Sequence, residues 1–452
     1  MKNWNQLFIR QGFIVKEIDI NCFDCKKETE ENLTFLKESL EKLEVSFSIT
    51  NGILTIHSDS VKELEWLNVV DYKGRGLGGN LWFRSENEEP KIRELDTYIS
   101  GIIRQLNRLG LFTEGSCDGH GQRFASVHFK RGLAMEKVEK LFHILAGKKV
   151  RIHNQRAVFT FDRAELLDVA ENMQVIKKEW LDENVDYIKK QLFFYQLEQL
   201  LSIDGVSGNE ESVRQYVFEN LSPFVDHITV DQSGNILALK KYRNGNGPTI
   251  LLNAHLDTVE PFEIGRTIIK NDNIWSSSKG ILGADDRAGV AVLLEAAKSL
   301  FHSTFNGTVK YIFTVKEEIG LVGASEVNDY FLWDVDTAIV ADRRGKGDIV
   351  TSCAGFIPFC DEAYGQWIEN VSKEKGLSQW KCTSGGLSDT RIWAEHGIQS
   401  VNLSVGYNHE HTEEEYLDIN ACYQTVQLLH AYFEKSLELC RFLKVMNRER
   451  VS

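Results

Sequence analysis

From Pro248 onward the chain alternates short, largely apolar runs with amphipathic stretches: PTILLNAH, AGVAVLLEAAKSLF, TVKYIFTV, VGASEVNDYF, TAIVAD, SDTRIWAEHG and SVNLSV, then a long final helix from about Asn420. Strands that read as continuous apolar runs are buried on both faces, and strand–helix alternation supplies the covering layers. The pattern predicts an α/β unit with a mainly parallel sheet and helices on both faces. In such sheets ligands bind beyond the carboxyl ends of the strands, which is where the polar clusters of this half fall. Upstream, from Leu197, the pattern predicts a helix, a turn at Ser207-Gly208-Asn209, a second helix and a hairpin around Ser233-Gly234-Asn235.

At 452 residues the chain is too long for one ordinary core. We place the boundary near 190: residues 1–190 form an N-terminal α+β region of one or two small units, and 191–452 form the second domain. In the first region FIVKEIDI reads as a strand, ENLTFLKESLEKL as a helix and VSFSITNGILTIHS as a hairpin turning at Asn51-Gly52. IRELDTYISGIIRQLNRLG then reads as one helix ending at Gly110, RFASVHFK as a strand, MEKVEKLFHILAG as a helix closed by Gly147, and VRIHNQRAVFTF as a hairpin. Three local motifs here read as structure. Cys22 and Cys25 form a C-x-x-C with no second pair to complete a zinc knuckle. The loop Gly74 to Gly79 is not followed by a helix N-terminus that would cradle a phosphate. Ser116-Cys117-Asp118-Gly119-His120-Gly121 packs a thiol, a carboxylate and an imidazole into what reads as a turn.

The net charge is −14, from 66 acidic against 52 basic residues, and no basic stripe with interleaved aromatics occurs, which argues against a nucleic-acid partner. The polar start MKNWNQLFIRQGF lacks a signal-peptide core, and no apolar run is long enough for a membrane span. A cytoplasmic location is expected, with the eight scattered cysteines reduced.

The chemistry-bearing residues sit at strand ends. His255-Leu256-Asp257 places an imidazole and a carboxylate on one side of an extended chain, Asp285-Asp286 open a helix, Glu317-Glu318 follow TVKYIFTV, Asp342 ends TAIVAD, and His409-Glu410-His411 follow a later strand. Each alone has a bland explanation: an N-cap for Asp285 or Asp286, a solvated pair for Glu317 and Glu318. Together they supply the oxygen and nitrogen ligands that suit zinc, cobalt or manganese. No serine or cysteine lies in a G-x-S-x-G nucleophile elbow.

The segments SGNE, DQSGNILA, LLNAHLDTV, LGADDRAGVA, VKEEIGLVGA, AD and GGLSDTRIWAEHGIQSVNLSVGYNHEHTEEEYLDI, in that order over roughly residues 195 to 435, resemble the co-catalytic zinc exopeptidases, the clan of aminopeptidases, peptidase T and carboxypeptidases. The resemblance implies the zinc-exopeptidase (phosphorylase/hydrolase-like) mixed sheet and two divalent metal ions, zinc first, with cobalt or manganese as alternatives. It makes His255, Asp285, Glu318, Asp342 and His411 metal ligands, with Asp285 bridging; Asp257 orients His255 and Glu317 is the general base. His411 is preferred to His409 because His411-Thr412 followed by Glu415 fits the H-[ST]-x-x-E pattern. It also implies a cis peptide between Asp285 and Asp286. His255 and Asp285 are close in sequence, so the unit is of the compact kind without an inserted lid domain. An aminopeptidase or di/tripeptidase acting on short peptides is therefore expected. Its rival is a carboxypeptidase or N-acyl amino acid deacylase anchoring a substrate carboxylate on Arg343, Arg344 or Arg391. A non-catalytic binding protein of the same fold predicts missing ligands, and none is missing.

Overall fold

The computed structural model describes residues 2–76, 90–301 and 303–451. The chain divides into two compact units, Met1–Leu192 and Phe193–Ser452, and each of the four sheets found among the described residues lies inside one unit.

The first unit contains two four-stranded antiparallel sheets, each with its own apolar core. In one, the strands run in the order Lys16–Asp19, Cys22–Asp24, Ile53–Ile56, Phe47–Thr50. Asn51 and Gly52 both adopt positive φ, 52° and 77°, the conformation that matches a two-residue hairpin turn to the twist of its strands. Trp4, Phe8, Phe13, Phe23 and Trp66 fill this core. Cys25 is buried in the same core, and Cys22 faces the hydroxyl of Thr55 at 3.6 Å. The other sheet has the order Thr113–Cys117, Ala125–Phe129, Arg156–Phe159, Val150–His153, and packs under helices Ser100–Arg108, Met135–Ala146 and Glu165–Met173. The single helix expected over 92–110 is instead a 3-10 turn, Ile92–Glu94, and a helix that starts only at Ser100. The break falls at Asp96, whose carboxylate is drawn to the backbone N–H of Asp118 at 3.0 Å. Of the loop Gly74 to Gly79, residues 77–79 lie outside the described residues.

The second unit is built on a nine-stranded mixed sheet. From one edge the order is Ile357–Pro358, Asp348–Cys353, Gln399–Ser404, Thr337–Arg343, Thr249–His255, Gly307–Thr314, Ile236–Tyr242 and His227–Val230, with Lys381–Gly385 paired to Asp348–Cys353 off this path. The central four strands are parallel. On both sides the path then turns antiparallel, because the Ser233-Gly234-Asn235 turn folds the chain back between the last two strands and Asp348–Cys353 runs against Gln399–Ser404; Lys381–Gly385 alone pairs parallel at that edge. Along Thr249–His255 the side chains alternate between two cores: Ile250, Leu252 and Ala254 on one face, Leu251 on the other. Helix Ala284–Phe301 covers the first face of the central strands, and Trp393 of helix Asp389–Glu395 lies on the second. The stretch VGASEVNDYF, expected to supply a further helix, forms two short turns, Val322–Ser325 and Asp329–Leu332, separated where Asn328 caps the second through the Tyr330 N–H. A glycine is required where the covering helix meets the sheet: a Cβ on Gly289 would lie 1.8 Å from the Ala341 carbonyl oxygen. That contact brings the start of the helix against the strand that carries Asp342. A second, four-stranded antiparallel sheet pairs Ile268–Asn271 with Ile274–Ser277, Tyr416–Asp418 and Tyr407–Asn408. Among the described residues no helix is long and apolar enough to cross a membrane, and all eight cysteines are free thiols.

Candidate active site

His255 is the last residue of its strand and is 2% exposed. Its Nδ1 lies 3.1 Å from the backbone oxygen of Asp257 and 3.4 Å from that residue's Oδ1. Its Nε2 lies 3.0 Å from Asp285 Oδ1 and 3.6 Å from Asp342 Oδ1. The second oxygen of Asp285 faces His411 Nε2 at 3.2 Å, and the same nitrogen is 3.0 Å from Glu318 Oε1. The carboxylate of Asp285 therefore stands between two imidazoles, with Asp257 and Asp342 also facing His255 and Glu318 also facing His411. The peptide between Asp285 and Asp286 is cis.

Asp257, fully buried, does more than face His255. Its Oδ1 accepts the backbone N–H of Glu317 at 2.9 Å, and its Oδ2 accepts the N–H of Glu318 at 3.1 Å and the hydroxyl of Ser207 at 2.6 Å. One carboxylate thus ties the His255 loop to the Glu317-Glu318 turn. Asp286 is turned inward, accepting the N–H of His255 and of Gly289 at 3.2 and 3.0 Å. His411 has φ 65° and His409 φ 55°, left-handed values uncommon outside glycine. The ring of His409 lies against Tyr416 with centroids 5.7 Å apart, so of this pair it is His411 that the fold directs to Asp285 and Glu318.

Supporting residues come from far along the chain. Glu415 accepts hydrogen bonds from the successive N–H groups of Gly283, Ala284 and Asp285 at 2.7, 2.8 and 3.1 Å. Tyr407 donates its hydroxyl to Asp342 Oδ1 at 2.9 Å. Asp389, buried behind the site, accepts the Thr314 hydroxyl at 2.5 Å. The sequence pattern assigns no role to Tyr407 or Asp389; for Glu415 the signal was its place in the H-T-x-x-E stretch. Arg343, Arg344 and Arg391 each pair with a carboxylate, of Asp348, Glu410 and Glu395 respectively.

Burial pushes Glu317 up to about 10, and the carboxylates of Asp342, Asp389 and Asp285 add to the rise against the pull of His255. Burial also raises Asp342 to about 7 despite its contact with His255. Asp285 goes the other way: burial would raise it, but hydrogen bonds from His255 and His411 hold it well below the usual carboxylate range. Hydrogen bonds to Asp285 and Glu318 raise His411 to about 10. Asp285, Glu317 and Asp342 crowd one buried place, and carboxylates so placed ionise together only where positive charge is set among them. A buried set of carboxylate oxygens and imidazole nitrogens is also the donor chemistry of divalent zinc-class ions, so the residues present fit such ions.

Residues 262–428 match the family model of the M42 glutamyl aminopeptidases. A protein of Acetivibrio thermocellus named “Putative aminopeptidase” is 39% identical over 34% of this chain and 67% of its own length. The chain belongs to this metallopeptidase family. The uncharacterised protein YqjE of Bacillus subtilis is 31% identical over 42% of this chain and 54% of its own length, so the chain spans about half of that relative. The crystal structure of aminopeptidase PepT from Bacillus cereus superposes with a TM-score of 0.51 at 19% identity, covering 55% of this chain and 99% of that one, which shows a shared fold.

Proposed function

We propose that this member of the family hydrolyses amide bonds of short peptides as an aminopeptidase or di/tripeptidase, using two divalent ions, zinc before cobalt or manganese. The observation that carries the reading is Asp285, with one oxygen 3.0 Å from His255 and the other 3.2 Å from His411. His255, Asp342 and one oxygen of Asp285 would hold one ion; His411, Glu318 and the other oxygen would hold the second. Bound ions of this class polarise a scissile carbonyl and acidify water.

The remaining work falls to the chain. Asp257 fixes the His255 ring and the Glu317-Glu318 backbone together, so that imidazole and base keep a constant relation. Glu317, largely buried and next to Glu318, takes a proton from the attacking water and delivers it to the leaving amine nitrogen. Tyr407 holds Asp342 by its Oδ1, and Glu415 fixes the loop that presents Asp285. The pairing of Arg343, Arg344 and Arg391 with acidic neighbours favours aminopeptidase over carboxypeptidase or deacylase action, since none is left to anchor a substrate carboxylate without breaking an ion pair. The free thiols fit a reducing compartment, and a cytoplasmic location is part of the proposal.

The test is metal analysis of purified protein together with a screen of short peptides whose termini are free or blocked. Two equivalents of metal at this site and hydrolysis that requires a free amino terminus are expected. Preference for N-blocked substrates would transfer the assignment to deacylase action, and lack of stoichiometric metal would favour a non-catalytic binding protein.

A further inference from the structure

In the first unit the turn 116–121 meets a residue 21 positions before Cys117 that its own sequence does not reveal. Cys117 ends the strand Thr113–Cys117, and Asp96 enters from the break ahead of helix Ser100–Arg108. His120 follows in a short 3-10 turn with left-handed backbone, φ 51° and ψ 29°. One ligand-type atom from each of Asp96, Cys117 and His120 lies within 4.8 Å of the other two.

The finer geometry has the order of a metal site. His120 Nε2 faces Asp96 Oδ2 at 3.7 Å, while its Nδ1 faces Asp118 Oδ1 at 3.4 Å. An imidazole with one nitrogen toward the ligand cluster and the other toward an outer carboxylate is the arrangement that fixes the tautomer and orientation of metal-bound histidine. A tetrahedral zinc with bonds of about 2.0–2.3 Å holds its ligand atoms roughly 3.3–3.8 Å apart, and the Nε2 to Oδ2 separation lies in that range. The sulfur accepts the backbone N–H of Gly119 at 3.4 Å, which holds it beside the turn that carries His120.

Charge balance points the same way. Asp96 and Asp118 are 8% and 3% exposed. The nearby buried cation, Arg75, spends its guanidinium on the carbonyls of Leu95, Val70 and Ile92 and on Gln11 and Ser100. Arg163 reaches Asp118 at 3.9 Å, on the oxygen away from His120, and lies over the Tyr98 ring. Among the described residues no lysine or arginine pairs with Asp96. Its Oδ1 is covered by backbone instead: a Cβ on Gly76, φ +76°, would stand 1.9 Å from that oxygen. The side chain of His120 is 48% exposed, which leaves one side of the cluster open.

We propose that the N-terminal unit binds one zinc-class cation through Asp96, Cys117 and His120, with Asp118 orienting the histidine and a fourth position open to solvent or a small ligand. Three protein ligands and an open position make a site able to do chemistry, unlike the closed four-ligand sites that only hold a fold together. The site is independent of the peptidase reading and contains the only cysteine among the residues we assign to metal in either unit.

That difference supplies the test. Full-length protein depleted of metal and reloaded with cobalt(II) should show a near-ultraviolet thiolate-to-cobalt charge-transfer band. The band should vanish in Cys117→Ser with the loss of one metal equivalent per chain, and should be weakened and shifted in His120→Ala, whose half-exposed side chain can be removed without emptying a core. It should persist when His255 and His411 are both replaced by alanine, which separates its fate from that of the peptidase site. No band in the reloaded wild type, or an unchanged band in Cys117→Ser, overturns the proposal.

Discussion

Glu415 holds Asp285 from 130 residues away in sequence, its carboxylate receiving three consecutive backbone N–H groups that end at Asp285 itself. Glu415 is 1% exposed, so these donors have no water to turn to. Glu415→Gln places an amide donor against at least one of them, and a buried unsatisfied donor costs on the order of 1–3 kcal/mol. A lower Tm is expected, with kcat falling more than KM rises, because the loop that presents Asp285 is loosened while the substrate surface is untouched. Glu414→Gln, at an exposed neighbouring position, should change neither quantity.

Gly289 sets the distance between the covering helix and the strand that carries Asp342. Gly289→Ala puts a methyl group onto the Ala341 carbonyl and near the Asp286 carboxylate. Overpacking of this kind typically costs about 1–3 kcal/mol. Thermal unfolding and metal retention measured on the same sample should fall together, whereas a loss of Tm with full metal content would show that the strand end does not move.

The sequence made the line of the site legible but not its supports. His255, Asp285, Glu317-Glu318, Asp342 and His411 each follow or end an apolar run, so pattern alone brings them to one rim of a sheet. Tyr407 and Asp389 act through contacts that cross the fold and nothing in their local spacing announces them, while the H-T-x-x-E spacing marks Glu415 but not the loop 283–285 that it holds. The helix expected over 92–110 failed for a related reason. Its apolar periodicity is real, but Asp96 leaves the helical path to accept the Asp118 N–H, a tertiary contact that overrides local propensity. The same contact is what turns 116–121 from a turn into a cluster. Parallel strands at the sheet centre followed from the alternation of strand and helix, while the antiparallel flanks come from short connections that a strand–helix rhythm does not describe.

Arg10 is 4% exposed and gathers Glu63, Asp168 and Glu171 around its guanidinium, with Lys2 also on Glu171. Burial would raise Glu171, but Lys2 and Arg10 outweigh it and depress its pKa below the ordinary 4.5. A depressed carboxylate stabilises the fold above its unfolded pKa, and the contribution is lost as pH falls through the folded value. Glu171→Gln should therefore lower the urea midpoint at neutral pH, with a loss of unfolding free energy of about 1.5–3 kcal/mol, the range for hydrogen bonds to a charged group. The gap between wild type and variant should narrow as pH falls below about 4.5. A gap constant from pH 7 to acid conditions would show that charge on Glu171 contributes nothing.

Glu317 and Glu318 are neighbours held by the two oxygens of one carboxylate, yet their side chains go to different tasks. Glu318 reaches His411 Nε2 at 3.0 Å, beside Asp285, whereas Glu317 is surrounded by the negative field of Asp342, Asp389 and Asp285. Glu317→Gln keeps the size and the backbone contacts to Asp257 but removes the proton acceptor. Metal content should survive while kcat drops by roughly 100- to 10,000-fold, the usual contribution of a positioned acid or base. Glu318→Gln should weaken metal retention instead, with activity partly restored by added zinc or cobalt. Bound metal and kcat measured for both variants separate the roles. Near-normal turnover in Glu317→Gln, on a peptide the wild type cleaves, would remove it as the base, and full metal occupancy in Glu318→Gln would remove that residue from the ligand set.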